Sequence, residues 1–241
     1  MSEHSSSSNG HRLVLFDIDG TLVSAGRVAR DSILKALESA YAWRAEDRHQ
    51  DRARYDFSGK TDPQIVRDLV VEGVGPERCE SGLPRALELY LAELERQLLP
   101  GSVVPKPGIA ALLERLAARP GVTLALLTGN LERGARLKLE PPGFNRYFPF
   151  GAFGSDSADR YLLPAIAVER ARGRTGHVFA GKSIVVVGDS VHDVGCGRGL
   201  GVRSVAVATG VTSLDRLAAE RPDALMADFS DTERALEAIL G

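Results

Sequence analysis

The chain has 241 residues, 44% of them hydrophobic, and a formal net charge of −2. That length suits one medium domain, or one domain carrying a smaller one, with a sizeable core. The near-balanced charge points to neither nucleic acid nor an acidic surface partner. No apolar run approaches the ~18 residues that a membrane span requires.

The opening stretch, "MSEHSSSSNGHR", lacks an apolar signal segment and reads as a disordered Ser-rich leader over 1–11. His4 and His11, in or beside it, are not read as a metal site. Cys79 and Cys196 have no zinc spacing, and two free thiols in a reducing cytoplasm are favoured over a bridge.

The first strand is Leu13–Phe16, which runs directly into Asp17, Asp19, Gly20 and Thr21. Side chains at i and i+2 of a strand share a face, so Asp17 and Asp19 point the same way. Two like charges so placed are costly unless a cation or a shared proton offsets them.

No convincing strand follows between Val23 and about Pro105. Helical faces occur there instead: Ile33, Leu34, Leu37 and Tyr41 on one, and Leu83, Leu87, Tyr90, Leu91, Leu94 and Leu98 on another. This is an all-helical insertion over 25–104, closed by the Pro- and Gly-rich "LPGSVVPKPG" (99–108). Within it, "GKTDPQI" (59–65) has two readings of equal weight. Lys60 could touch a substrate, or Thr61 and Gln64 with Pro63 could simply open a helix.

From there strands alternate with helices. Ile109, Leu112, Leu113 and Leu116 mark a helix. Val122–Leu127, a short piece near Ala152–Phe153, Ile184–Val187 and Ser204–Val207 mark strands. Continuous apolar strands alternating with helices imply a doubly wound, Rossmann-like and mostly parallel sheet covered on both faces. The expected division is an α/β core of 12–24 and 105–241 with the helical segment inserted into it.

In such a sheet ligands bind beyond the carboxyl ends of the strands. Those ends carry Asp17 and Asp19, then Thr128-Gly129-Asn130, then Asp189 with Asp193 four residues on. Carboxylates Asp17 and Asp189 with a nearby carbonyl form a hard oxygen site suited to Mg²⁺. Thr128 and the amides around Gly129 and Asn130 offer donors for an anion at a helix start. A metal, a phosphate cradle and a free carboxylate together equip a site for phosphoryl transfer.

"DIDGT", "LLTGN" and "VVVGDSVHD", in this order and on this strand pattern, resemble the motifs of the haloacid dehalogenase superfamily. The resemblance runs from about Leu13 to at least Gly210 and is nearest the phosphoglycolate-phosphatase-like branch. It implies that the helical insertion is a cap and that Asp17 is a nucleophile forming an aspartyl-phosphate. Asp19 would protonate the leaving alcohol and then activate water. Thr128 would hold the phosphoryl group. Asp189 would complete a Mg²⁺ shell with Asp17 and the Asp19 carbonyl, and Asp193 would stand behind them. Asp19 also speaks against the dehalogenase branch, because a halide leaves without a proton.

One departure stands out. The superfamily usually places a Lys at the start of the helix before the fourth strand, and no Lys follows the third strand here except Lys182. Lys182 precedes its strand, roughly 20 Å from the site at ~3.3 Å per residue, and is read as a surface charge. Arg160, after "GSDSAD" (154–159), is expected to take the Lys role and to bind phosphate. His192 is read as neutral and non-catalytic. Thr128 as a plain helix cap and Asp193 as an ordinary first-turn acid are the bland alternatives.

The expected activity is Mg²⁺-dependent hydrolysis of a small phosphorylated metabolite in the cytoplasm, with no nucleic-acid or membrane partner and the oligomeric state open. A phosphosugar mutase of the same superfamily is the alternative. A receiver-like phospho-acceptor module is less favoured, because a receiver of about 120 residues is one compact unit without such an insertion.

Overall fold

A computed structural model describes residues 10–42 and 55–241. Six parallel strands form one sheet in the order β5-β4-β1-β6-β7-β8. They are β1 (Arg12–Phe16), β4 (Val122–Leu127), β5 (Gly151–Ala152), β6 (Ile184–Gly188), β7 (Arg203–Val207) and β8 (Ala224–Met226). β8 was not anticipated: three residues are too few to show a period.

The alternation within each central strand builds two cores. Val14, Phe16, Leu124, Leu126, Val185 and Val187 face one side, where they meet Ile109, Leu112 and Leu116 of α4 (Ile109–Ala117) and Leu236 and Ile239 of α9 (Thr232–Leu240). Leu13, Leu15, Ala125, Leu127, Ile184 and Val186 face the other, against Leu163 and Ala167 of α6 (Leu163–Thr175) and Cys196 of α7 (Val191–Gly199). Fully burying each Leu or Val stabilises the fold by about 1.5–3 kcal/mol. Leu217 of α8 (Leu214–Ala219) packs on a smaller cluster with Val194 and Ala206.

β1 lies between β4 and β6, so the chain turns from one half of the sheet to the other at β1. This reversal opens the crevice into which Asp17, Thr128 and Asp189 project.

The inserted segment contains α1 (Val28–Tyr41), α2 (Asp62–Val74) and α3 (Pro76–Gln97), with residues 43–54 outside the described part. Ile33, Leu37, Tyr41, Ile65, Leu69, Leu83, Tyr90 and Leu94 form their own apolar cluster, joined by Leu131 from beyond β4. The expectation of no strand here needs a small correction. Val23–Ser24 (β2) and Val104–Pro105 (β3) pair antiparallel where the chain leaves and re-enters, a two-residue ladder too short to carry a pattern. α2 starts as its sequence suggests. Thr61 Oγ1 accepts from Gln64 N at 3.2 Å, with Pro63 in the first turn.

Of the expected leader, residues 1–9 lie outside the described part. His11 is described and stacks on His177 with ring centroids 3.6 Å apart. Cys79 and Cys196 are free and buried. Among the described residues no helix is long and apolar enough to cross a membrane.

Candidate active site

Past Phe16 the chain turns tightly. The Ile18 carbonyl accepts from Leu22 N at 2.9 Å and Val23 N at 3.1 Å, and Gly20 N donates to Val23 O at 2.8 Å. Gly20 takes φ +87°, and a Cβ there would lie 2.4 Å from Asp189 Oδ2, so only glycine fits. The turn leaves Asp17 buried and Asp19 turned toward a cavity of about 780 Å³ between the sheet and the helical segment. Lys60, Thr128, Gly129, Asn130, Arg160 and Asp189 also line that cavity.

β6 delivers Asp189, whose Oδ1 accepts from Thr21 Oγ1 at 3.1 Å. Ser190 then caps α7 in a reciprocal box with Asp193. Asp193 Oδ2 accepts from Ser190 Oγ at 2.6 Å and from Ser190 N at 3.0 Å. This cap aims the other oxygen of Asp193 back at the crevice. Oxygens of Asp17, Asp189 and Asp193 lie within 4.8 Å of one another, all three residues buried.

Arg160 opens a single 3₁₀ turn whose Asp159 cap accepts from Tyr161 N at 2.9 Å. Its guanidinium is 4% exposed and donates through Nη2 to Asp17 Oδ1 at 2.9 Å and to Asp193 Oδ1. Lys182 lies elsewhere, with Nζ 2.6 Å from Asp223 and its side chain 61% exposed.

The electrostatics follow from this crowding. Burial pushes Asp17 up to about 7; Arg160 opposes the rise, while Asp193 and Asp19 add to it. Burial, then the charges of Asp17 and Asp193, push Asp189 well above the ordinary carboxylate range. Three buried carboxylates against one guanidinium are short of positive charge, and a hard divalent cation fits that donor set. His192 lies in the first turn of α7, with Nδ1 3.0 Å from the Tyr161 hydroxyl. Burial and the Arg160 charge lower its pKa, consistent with a neutral ring.

On the other flank, β4 ends in Thr128-Gly129-Asn130 ahead of α5 (Glu132–Leu139). Thr128 Oγ1 accepts from Asn130 Nδ2 at 2.9 Å and from Asn130 N at 3.3 Å. Asn130 Nδ2 also donates to Asp19 Oδ2 at 2.7 Å. That oxygen takes a second bond, at 2.6 Å, from Lys138 Nζ.

Lys138 was not among the residues expected at the site: the expected cation lay beyond the third strand, whereas Lys138 comes from the helix before it. A signal existed: Leu131, Ala135, Lys138 and Leu139 fall at i, i+4, i+7 and i+8, the buried face of α5. Lys60 lines the cavity, but its Nζ is held 3.0 Å from Asp68 and 2.8 Å from the Tyr55 hydroxyl.

The helical segment docks beside these residues. Asp62 N donates to Gly129 O at 2.8 Å, Asp62 Oδ2 accepts from Leu131 N at 2.8 Å, and Thr61 Oγ1 donates to Ala158 O at 2.7 Å.

Such a site, at the switch point of a doubly wound sheet under an inserted helical segment, agrees with the comparisons to known proteins. The family model of haloacid dehalogenase-like hydrolases matches residues 11–201, and the chain belongs to that family. It is 29% identical to a phosphoglycolate phosphatase of Agrobacterium fabrum over 229 residues, 93% of this chain and 91% of that one. It is likewise 29% identical to the "Probable phosphatase IndB" of Dickeya dadantii, over 95% of this chain and 94% of that one. Among solved structures, a predicted phosphoglycolate phosphatase from Haemophilus somnus superposes with a TM-score of 0.69 at 21% identity, covering 95% of this chain and 99% of that one. A candidate β-phosphoglucomutase from Thermotoga maritima superposes with a TM-score of 0.60 at 18% identity, covering 95% and 99%. At those identities the solved structures speak for the fold alone.

Proposed function

We propose that this enzyme hydrolyses a small phosphate monoester through an aspartyl-phosphate on Asp17, with Mg²⁺ as its metal. It is a phosphoric monoester hydrolase of the haloacid dehalogenase type, and its curated relatives carry phosphatase names. The observation that carries the mechanistic reading is the placement of Asp17. One oxygen is held by Arg160, the carboxylates of Asp189 and Asp193 stand beside it, and Asp19 lies two residues on at the cavity.

Asp17 and Asp189, with the Asp19 carbonyl, would hold the cation, and Asp193 fixes Arg160 behind them. When bound, the cation would neutralise the crowded carboxylates and the charge of the phosphoryl oxygens. An Asp17 oxygen forms the bond to phosphorus as the ester P–O bond breaks. The bonding pair goes to the leaving oxygen, which takes the proton from Asp19. Water then attacks the acyl phosphate. Asp19, now a carboxylate, accepts the water's proton, and Asp17 is released with inorganic phosphate. The Thr128 hydroxyl and the backbone amides around Gly129 and Asn130 orient the phosphoryl group. Arg160 Nε, buried with no partner among the described residues, supplies a further donor.

The test is phosphate release from a panel of small phosphorylated metabolites, with and without Mg²⁺, on wild type and Asp17→Asn. Mg²⁺-dependent release that falls by several orders of magnitude in the variant supports the reading. Retention of a tenth of wild-type turnover, contamination excluded, refutes the nucleophile. Isomerisation of a phosphosugar without release would identify a mutase.

A further inference from the structure

Lys138 is the most deeply buried cation of the described residues, 1% exposed in the last turn of α5. An ammonium is kept in such a place only when its charge and donors are matched, since an unpaired buried charge costs several kcal/mol. Its match is local: Asp19 Oδ2 at 2.6 Å and Asn130 Oδ1 at 2.6 Å. The second bond fixes the Asn130 amide. With Oδ1 turned to the ammonium, Nδ2 must face Thr128 and Asp19, where it makes its other two bonds. Both bonds to Asp19 fall on Oδ2, and the side chain stays 44% exposed toward the cavity.

We propose that Lys138 is a positioning residue that holds the Asp19 carboxyl in the orientation for proton transfer to the leaving group and ties it to the phosphate cradle through Asn130. Lys138 touches no reacting atom. Pinning one carboxyl oxygen presents the other to the substrate, and the shared Asn130 keeps Asp19 in register with Thr128. A carboxylate on a turn has two free torsions, and holding them removes the entropy of finding the reactive pose. This rests on the phosphatase reading with Asp19 as the acid and base.

The experiment compares leaving groups. An alkyl phosphate needs the proton from Asp19; p-nitrophenyl phosphate, whose phenolate leaves readily, needs it far less. Lys138→Met is expected to lower kcat/KM, which reports expulsion of the leaving group and not the later attack of water, at least about tenfold more on the alkyl ester than on the aryl ester. In an Asp19→Asn background, adding Lys138→Met should cost less than about twofold, because its effect runs through Asp19. Thermal melting checks folding, and Lys138→Gln enters the same cycle if the apolar variant does not fold. Equal losses on both esters, no loss, or full additivity with Asp19→Asn would overturn the proposal. If Asp19→Asn by itself leaves alkyl-ester turnover intact, the fault lies instead with the acid–base reading.

Discussion

Arg160 donates to Asp17 Oδ1 at 2.9 Å from a fully enclosed guanidinium, and the same nitrogen also bonds Asp193. The planar fork suits this better than an ammonium would: one donor serves the buried acids while others remain for phosphate. Arg160→Ala is therefore expected to cut kcat/KM by about 10²-fold or more. Arg160→Lys should retain part of the activity, and Lys182→Ala should leave it nearly unchanged, since Lys182 pairs with Asp223 at the exposed far end of β6. Steady-state kinetics on the three variants decide the matter. A silent Arg160→Ala with a damaging Lys182→Ala would reverse the assignment.

These two cations also show what the sequence could reveal. Strand ends read as mostly apolar runs that stop near Asp17, Thr128 and Asp189, because strands buried on both faces carry few polar residues before the sheet edge. The convergence of those ends follows from topology. Arg160 could be placed because it opens a helix just past a strand. Lys138 could not be found by searching strand ends, because it reaches the site from the last turn of a helix. Its mark was a charge on a face otherwise apolar, a pattern legible only once that face is known to be buried. The β2–β3 ladder and β8 escaped because two or three residues carry no period. Lys60 reads in sequence as either a substrate contact or part of a plain helix start; it lines the cavity, and sequence spacing gave no sign that Asp68 and Tyr55 would hold it.

Contact between the sheet and the helical segment depends on the absence of a side chain at Gly129. A Cβ there would lie 2.0 Å from Lys60 O, and one at Gly154 would lie 2.1 Å from Gly129 O. Both clashes are with backbone, which cannot rotate away. Gly129→Ala must push α2 off the site and break the Asp62 N to Gly129 O bond. The expected result is a loss of stability of about 1–3 kcal/mol and a rise in KM greater than the fall in kcat. Ala at Gly173, where nothing lies within 4 Å, is the control and should be neutral or slightly stabilising. A Gly129→Ala enzyme that melts and turns over as wild type does would show that the docked contact is not needed.

Asp62 gives a prediction about pH. Burial pushes its carboxyl from 3.8 up to about 6, against the Lys138 charge and the Leu131 N–H that favour the anion. The folded chain therefore holds this proton up to about pH 6, while the unfolded chain releases it near 3.8. Between those values the folded state binds more protons, so raising the pH lowers stability. Asp62→Asn can still accept from Leu131 N but has no proton to lose. Its melting temperature relative to wild type is expected to rise between pH 4 and pH 7 and to level off above. A difference that stays flat across that range would mean that Asp62 is ionised throughout.

The same sign governs the three carboxylates and their cation. Asp17 is raised to about 7, and Asp189 is raised well above the ordinary carboxylate range by burial and by Asp17 itself. Without metal, the folded state keeps protons there that the unfolded chain gives up near pH 4, so stability falls as pH rises toward and past 7. A divalent cation competes with those protons, and its binding tightens as they leave. Bound only by the folded state, it stabilises by RT ln(1 + [L]/Kd). Two outcomes are expected in chelator-treated protein. The melting temperature should decline from pH 5.5 to pH 8, and adding Mg²⁺ should restore more of it at pH 8 than at pH 5.5. Asp189→Asn removes one of the three charges, so it should raise the metal-free melting temperature at pH 8 and abolish most of the Mg²⁺ response. Scanning calorimetry at three pH values with and without Mg²⁺ reads both effects. A Mg²⁺ response of equal size at all three values, or one retained in full by Asp189→Asn, would place the cation away from these carboxylates.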